Sequence, residues 1–203
     1  MSDIPINLAV EDALSEAVVR EMLKQSQRPF SIGICLNKGG YGYLKKIISG
    51  LNHAAKGSAY LVLTDLDNAE CPQEIISTWL EQPKHPNLIF RIAVREVEAW
   101  LLAHRETFAK YVGISKDLIP RNADEIADPK QTLINLVRKS KKRDLKEAIV
   151  PADNSTAKIG KDYNGQLIQF VKNHWQIELA KQNSPSLEKA MKAILNFQIT
   201  WEQ

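Results

Sequence analysis

Apolar and polar positions change period several times along the chain, and each change marks an element. Residues 4–10 read as a short strand. From Ala13 to Gln25, Leu14, Val18, Met22 and Leu23 recur at the spacing of one helix face. Phe30 to Leu36 reads as a second strand. Tyr43 to Lys56 reads as a helix with Leu44, Ile47, Ile48 and Leu51 on one side. The continuous run from Ala59 to Thr64 has the character of a strand buried on both faces, as parallel sheets require. Pro72 suits a first helical turn and opens a helix with Ile75, Ile76 and Trp79. Leu88 to Val94 is the fourth strand, and Glu96 to Val112 one long helix carrying Val97, Trp100, Leu101 and Phe108.

Strands alternating with helices predict an α/β fold, a Rossmann-like parallel sheet of about four strands flanked by helices. Beyond residue 113 only the helical period remains, at Thr132 to Ser140, Asp144 to Val150, Asn164 to Trp175 and Leu187 to Phe197, with a polar loop from Pro151 to Tyr163. The chain therefore divides into an α/β domain over 1–112 and a helical extension over 113–203. No flexible linker separates the two, so the extension is expected to pack on the first domain.

Composition changes this picture little. The 203 residues are 44% hydrophobic and 25% charged, ordinary values for a globular protein. The two cysteines, Cys35 and Cys71, make neither a disulfide framework nor a metal motif, and the four histidines lack zinc spacing. No apolar run approaches the roughly 18 residues of a membrane span, and the start lacks the pattern of a signal peptide. A cytoplasmic protein with no membrane partner is the expectation. The net charge of +3 permits a polyanion partner without demanding one.

Candidate chemistry lies in the acids. Asp65 and Asp67 follow the third strand with one residue between them, and Glu11 follows the first. In a parallel sheet those ends share the carboxyl edge, where open α/β sheets bind ligands. Close carboxylates repel one another, which raises a pKa or calls for a cation. An oxygen-ligated ion such as Mg²⁺ fits that need. Taken singly, Glu11 reads as a first-turn acid and the aspartates as turn residues. Taken together, at two strand ends, they favour a metal site.

These residues resemble a known pattern. Val10-Glu11-Asp12-Ala13-Leu14-Ser15-Glu16 followed by Leu63-Thr64-Asp65-Leu66-Asp67 is similar to the Toprim signature, an acid after strand one and Asp-x-Asp after strand three. Toprim domains occur in topoisomerases, primases, recombination-repair proteins and the OLD-type nucleases (overcoming lysogenization defect). The run from Arg91 to Ala103 resembles a bacterial Toprim-like family often encoded beside an AAA-type ATPase, as in split OLD-like anti-phage defence systems. The resemblance implies that Glu11 is an acid/base or metal ligand and that Asp65 and Asp67 bind Mg²⁺ or Mn²⁺. It also implies a second acid one turn after the first, for which Glu16 is the candidate. Glu16 stands five residues on rather than four, roughly 140° around a helix. It is thus turned from Glu11, and Asp12 or Ser15 could substitute. Glu98, then Glu96, are the candidates for a second metal site, though acids in a first helical turn are common. Lys158 would stabilise charge on a phosphoryl oxygen; a solvated loop lysine is the plain alternative.

The loop Lys38-Gly39-Gly40-Tyr41-Gly42 bares backbone N–H groups and could meet a phosphate through Lys38, but it lacks the ending of a nucleotide-binding P-loop. The basic cluster Arg138, Lys139, Lys141, Lys142 and Arg143 is the candidate track for nucleic acid, DNA or RNA. It reads equally as a solvated helix end. The expected function is a metal-dependent nuclease with an ATPase partner. The rivals are a non-catalytic Toprim-like adaptor subunit and a primase-like phosphoryl-transfer enzyme.

Overall fold

A computed structural model describes residues 3–200. Four strands form one parallel sheet: β1 (Ile4–Val10), β2 (Phe30–Leu36), β3 (Tyr60–Asp65) and β4 (Leu88–Ala93), in the order β2-β1-β3-β4. Helices α1 (Ala13–Gln25), α2 (Gly40–Ala54) and α3 (Pro72–Trp79) make the crossovers. The fold is therefore α/β, a four-stranded parallel sheet flanked by helices.

Alternation along each strand sends neighbouring side chains to opposite faces. Ala9, Val62, Leu88, Phe90 and Ile92 form one buried cluster with Leu44, Ile48 and Leu51 of α2 and Ile75 and Trp79 of α3. Leu8, Val10, Leu61 and Leu63 are equally buried on the alternate positions, and α1 packs on β1, β2 and β3.

The chain divides into two compact units at a different place from the one its periodicity suggests. One unit holds the residues up to Val94 together with those from Glu188 onward; the other is Arg95–Leu187. The expected boundary at 112/113 moves because the segment after β4 packs with later helices. It is also not one helix. It breaks at His104 (φ −82, ψ 56) into α4 (Val97–Ala103) and α5 (Arg105–Val112). His104 is pinned there: its N–H donates to the Leu101 carbonyl, and its Nδ1 accepts from the Gln176 N–H.

The second unit continues with α6 (Pro129–Arg138), α7 (Arg143–Ile149), α8 (Tyr163–Asn173) and a short α9 (Ile177–Ala180). Trp100 and Trp175 are buried at its centre, and the Trp175 indole donates to the Trp100 carbonyl at 3.1 Å. Trp100 is core, and its own indole N–H donates to Ser186 Oγ at 2.7 Å. The last helix, α10 (Pro185–Leu195), runs past the unit boundary. In the sheet unit the chain from Glu188 onward is attached at several points. Arg28 donates to the Ile194 carbonyl at 2.6 Å, Phe30 stacks on Phe197, and Asn87 exchanges bonds with the Thr200 backbone.

Candidate active site

β1 and β3 are neighbours, with Val10 opposite Leu63, so Glu11 stands beside the last residues of β3. Glu11 Oε1 accepts from Thr64 Oγ1 at 2.5 Å and from the Asp65 N–H at 2.9 Å. This is where the sheet order reverses: α1 carries the chain from β1 to one side, and α2 brings it back to β3 on the other. The crevice at the strand carboxyl ends of such a switch point is the usual ligand position in open α/β sheets.

Burial pushes the Glu11 carboxyl above the ordinary value for glutamate. The bonds from Thr64 and Asp65 pull it back, and the neighbouring charges of Asp67 and Asp12 push it up again, leaving it raised. Asp65 is half-buried at the end of β3. Asp67 is exposed and holds the left-handed conformation (φ 48), which short acids tolerate better than bulky side chains. The loop after β3 therefore turns sharply next to Glu11.

The other acids of the first motif are used elsewhere. Asp12 caps α1, accepting from the Ser15 N–H at 2.8 Å, and Ser15 is buried. Glu16 accepts from Arg20 Nε at 2.7 Å and from Asn37 Nδ2 at the end of β2. Burial pushes the Glu16 carboxyl up, but the bonds from Arg20 and Asn37 outweigh it and leave it below the usual value. Burial, and then the same carboxylate, hold the Cys35 thiol up at about 11. Glu16 thus binds towards β2, while Glu11 binds towards β3.

Among the described residues, no three His, Cys, Asp or Glu side chains stand grouped as a ready ligand set. The donors at the two strand ends are all carboxylate oxygens, the type that suits a hard divalent cation. The raised Glu11 beside Asp67 is the imbalance such an ion would relieve.

Glu96, Glu98 and Lys158 belong to the second unit. Glu96 Oε2 accepts from the Lys130 N–H at 2.8 Å. Lys130 Nζ lies 3.5 Å from Glu96 and 3.4 Å from Glu98. Glu98 is only 3% exposed and accepts from the Tyr163 hydroxyl at 3.0 Å. Burial raises the Glu98 carboxyl; Lys130 lowers it in part. Lys158 lines a cleft of about 670 Å³ with Glu96, Asp128, Lys130 and Arg138. Lys158, Arg138 and the two glutamates were separate candidates in the sequence. In the fold, Lys130 links the glutamates and shares the cleft with the other two.

The family described as Domain of unknown function (DUF4276) matches residues 10–187. The chain belongs to that family. The match takes in Glu11, Asp65, Asp67, Glu96, Glu98 and Lys158. Comparison with curated proteins and with solved structures gave no match.

The basic cluster spans the junction of two helices in this DUF4276 chain. Arg138 ends α6 and Arg143 opens α7, with the connection between them. Lys139 and Lys141 are exposed. Lys142 Nζ donates to the carbonyls of Lys110 and Tyr111 near the end of α5, at 3.2 and 2.7 Å. Arg143 pairs with Glu147 at 2.8 Å. The glycine loop is shorter than its sequence suggests. Gly39 (φ 116) is the cap of α2 and Gly40 already begins the helix, leaving Lys38 exposed just before it.

Sequence reasoning missed Thr64, Lys130 and Tyr163. Thr64 carries a weak signal, a hydroxyl at the inner end of an apolar run. Lys130 and Tyr163 carry none, because each acts on acids more than thirty residues away in the chain.

Proposed function

We propose that the acids at the ends of β1 and β3 form the centre of a metal-dependent nuclease that hydrolyses phosphodiester bonds of DNA or RNA. The observation that carries this reading is the seat of Glu11. Its carboxyl is fixed by Thr64 and the Asp65 N–H, pushed up by burial and by Asp67, and set at the topological switch point. A carboxyl oriented in this way and drawn towards neutrality is suited to exchange a proton with an attacking water.

Glu11, Asp65 and Asp67 would hold Mg²⁺ or Mn²⁺, which supplies positive charge where phosphoryl oxygens gain negative charge. Thr64 and the Asp65 N–H keep Glu11 in one orientation, so the proton leaves along a defined path. The Toprim and OLD-type resemblance agrees with this chemistry. It also brings the rest of the proposal: control by a separate AAA-type ATPase, a place in a bacterial anti-phage defence system, and a cytoplasmic location. No helix among the described residues is long and apolar enough to cross a membrane.

The test is cleavage of plasmid, single-stranded DNA and tRNA by the purified chain in Mg²⁺, Mn²⁺ or EDTA. Cleavage should need the metal and be lost in Asp65→Ala with its fold intact by circular dichroism. Failure to cleave with either metal, alone or with an ATPase partner, would sink the nuclease reading. Cleavage that survives in folded Asp65→Ala would remove the site assignment.

A further inference from the structure

A second feature of the sheet unit lies apart from the acids. β4 is an edge strand, and a cleft of about 300 Å³ lies beside it, bounded by Ile89, Ala193 and Phe197 and rimmed by Lys84. Arg91, on the same strand, enters this cleft, and Asn196 and Gln198 add neutral amides. Among the described residues, none of the walls carries a carboxylate. Arg91 Nε is buried and has no hydrogen-bond partner among the described residues. Lys84 is anchored at the rim by donating to the Leu88 carbonyl at 2.8 Å.

Burying a guanidinium without a counter-ion is costly, because lost hydration is not replaced. Burial alone draws the Arg91 group below its ordinary range, and burial followed by the charge of Arg91 does the same to Lys84. Two like charges thus share a small cleft whose remaining walls are apolar or neutral. A phosphate monoester carries about −1.5 to −2 charge at neutral pH, which matches two cations. The planar fork of arginine binds such an oxyanion through two parallel N–H bonds. The apolar walls ask for an apolar body behind the head group.

We propose that this cleft binds a phosphate monoester with an apolar or aromatic body, Arg91 forking onto the phosphate and Phe197 and Ile89 lining the body. Such a group comes either as a free nucleotide or as the 5′-phosphorylated end of a nucleic acid. The proposal goes beyond the nuclease reading and stands whether or not the acids are catalytic.

The test is thermal unfolding of the full chain with AMP, inorganic phosphate, adenosine and a short 5′-phosphorylated oligonucleotide, in EDTA. AMP, the phosphorylated oligonucleotide or both should raise Tm by about 5–10 °C at roughly a hundred times Kd. Adenosine should not, and inorganic phosphate should bind more weakly than AMP. A shift with AMP alone assigns the free nucleotide, and a larger shift with the oligonucleotide assigns the strand end. Arg91→Leu should weaken binding at least about tenfold without lowering the Tm of the free protein, since it removes an uncompensated charge. Arg91→Lys, which keeps the charge and loses the fork, should also bind more weakly. The proposal is overturned if no phosphate ligand shifts Tm, if adenosine shifts it equally, or if both Arg91 variants bind as tightly as the unchanged protein.

Discussion

Glu11, Glu16 and Glu98 are the same residue type in three environments, and their surroundings decide what each can do. Glu16 sits with a cation and an amide and is held ionised. Glu11 and Glu98 are pushed up by burial. For Glu11 the bond from Thr64 opposes that push, so Thr64→Val should raise its pKa further. The acid limb of any metal-dependent cleavage should then move to higher pH, with the alkaline limb in place. A uniform loss of rate at every pH would show that Thr64 only supports the fold.

For Glu98 the opposing group is Lys130, and the sign of the effect on stability follows from linkage. A carboxyl whose folded pKa lies above its unfolded value of 4.5 contributes fully below that value. The contribution is lost as pH rises through the folded pKa. Lys130→Met leaves the buried carboxyl without its cation and should cost about 1 kcal/mol at neutral pH, since the Lys130 side chain is 40% exposed and solvent screens the pair. The loss should shrink as the pH falls towards 4.5 and Glu98 takes up its proton. Urea unfolding at several pH values measures this; a loss independent of pH would mean that Lys130 acts through packing alone.

At the scale of elements, the strands and the helices over 4–94 were legible because hydrophobic period is a local property. The ends of β1, α1 and β2 agree with it to the residue. The exceptions have causes that the period cannot carry. The long helix breaks at His104 because a backbone N–H seventy-two residues away captures the imidazole. α2 begins at Gly40 because Gly39 takes a positive φ that only glycine adopts freely. Register is similar. The pairing of β1 with β2 shifts between Ile6 and Leu8, and the Asn7 side chain fills the gap by accepting from the Ile34 N–H at 2.9 Å. A Cβ on Gly33 would come within 2.6 Å of that Asn7 oxygen. Gly33→Ala should therefore displace Asn7 and destabilise the protein by about 0.5–1 kcal/mol, the net worth of one solvent-exposed hydrogen bond. Amide exchange at Ile34 should rise at the same time. Unchanged exchange there would show that the strand pair tolerates the methyl group.

At the scale of the whole molecule, the surprise is the return of the chain to its first unit. Periodicity marks a helix near residues 187–197 but says nothing about its partner. Asn87 is fully buried. Its amide donates to the Ala55 and Thr200 carbonyls, and its oxygen accepts from the Thr200 N–H. One side chain thus joins the end of α2, the approach to β4 and the end of the described chain. Asn87→Ala leaves the buried Ala55 carbonyl unpaired and releases the Thr200 backbone, and should cost about 2 kcal/mol in denaturant unfolding. A change under about 0.5 kcal/mol, the size of an ordinary surface substitution, would refute this role.

The sequence by itself determined the α/β class, the parallel sheet and the placement of Glu11, Asp65 and Asp67 at strand ends, because period and strand polarity are local. Only the tertiary structure decided which acids share a neighbourhood. It set Glu11 against Thr64, turned Glu16 towards β2, joined Glu96 and Glu98 through Lys130, and left the buried Nε of half-buried Arg91 unpaired among the described residues. Each of those outcomes depends on desolvation and on contacts between residues far apart in the chain, which no local pattern encodes.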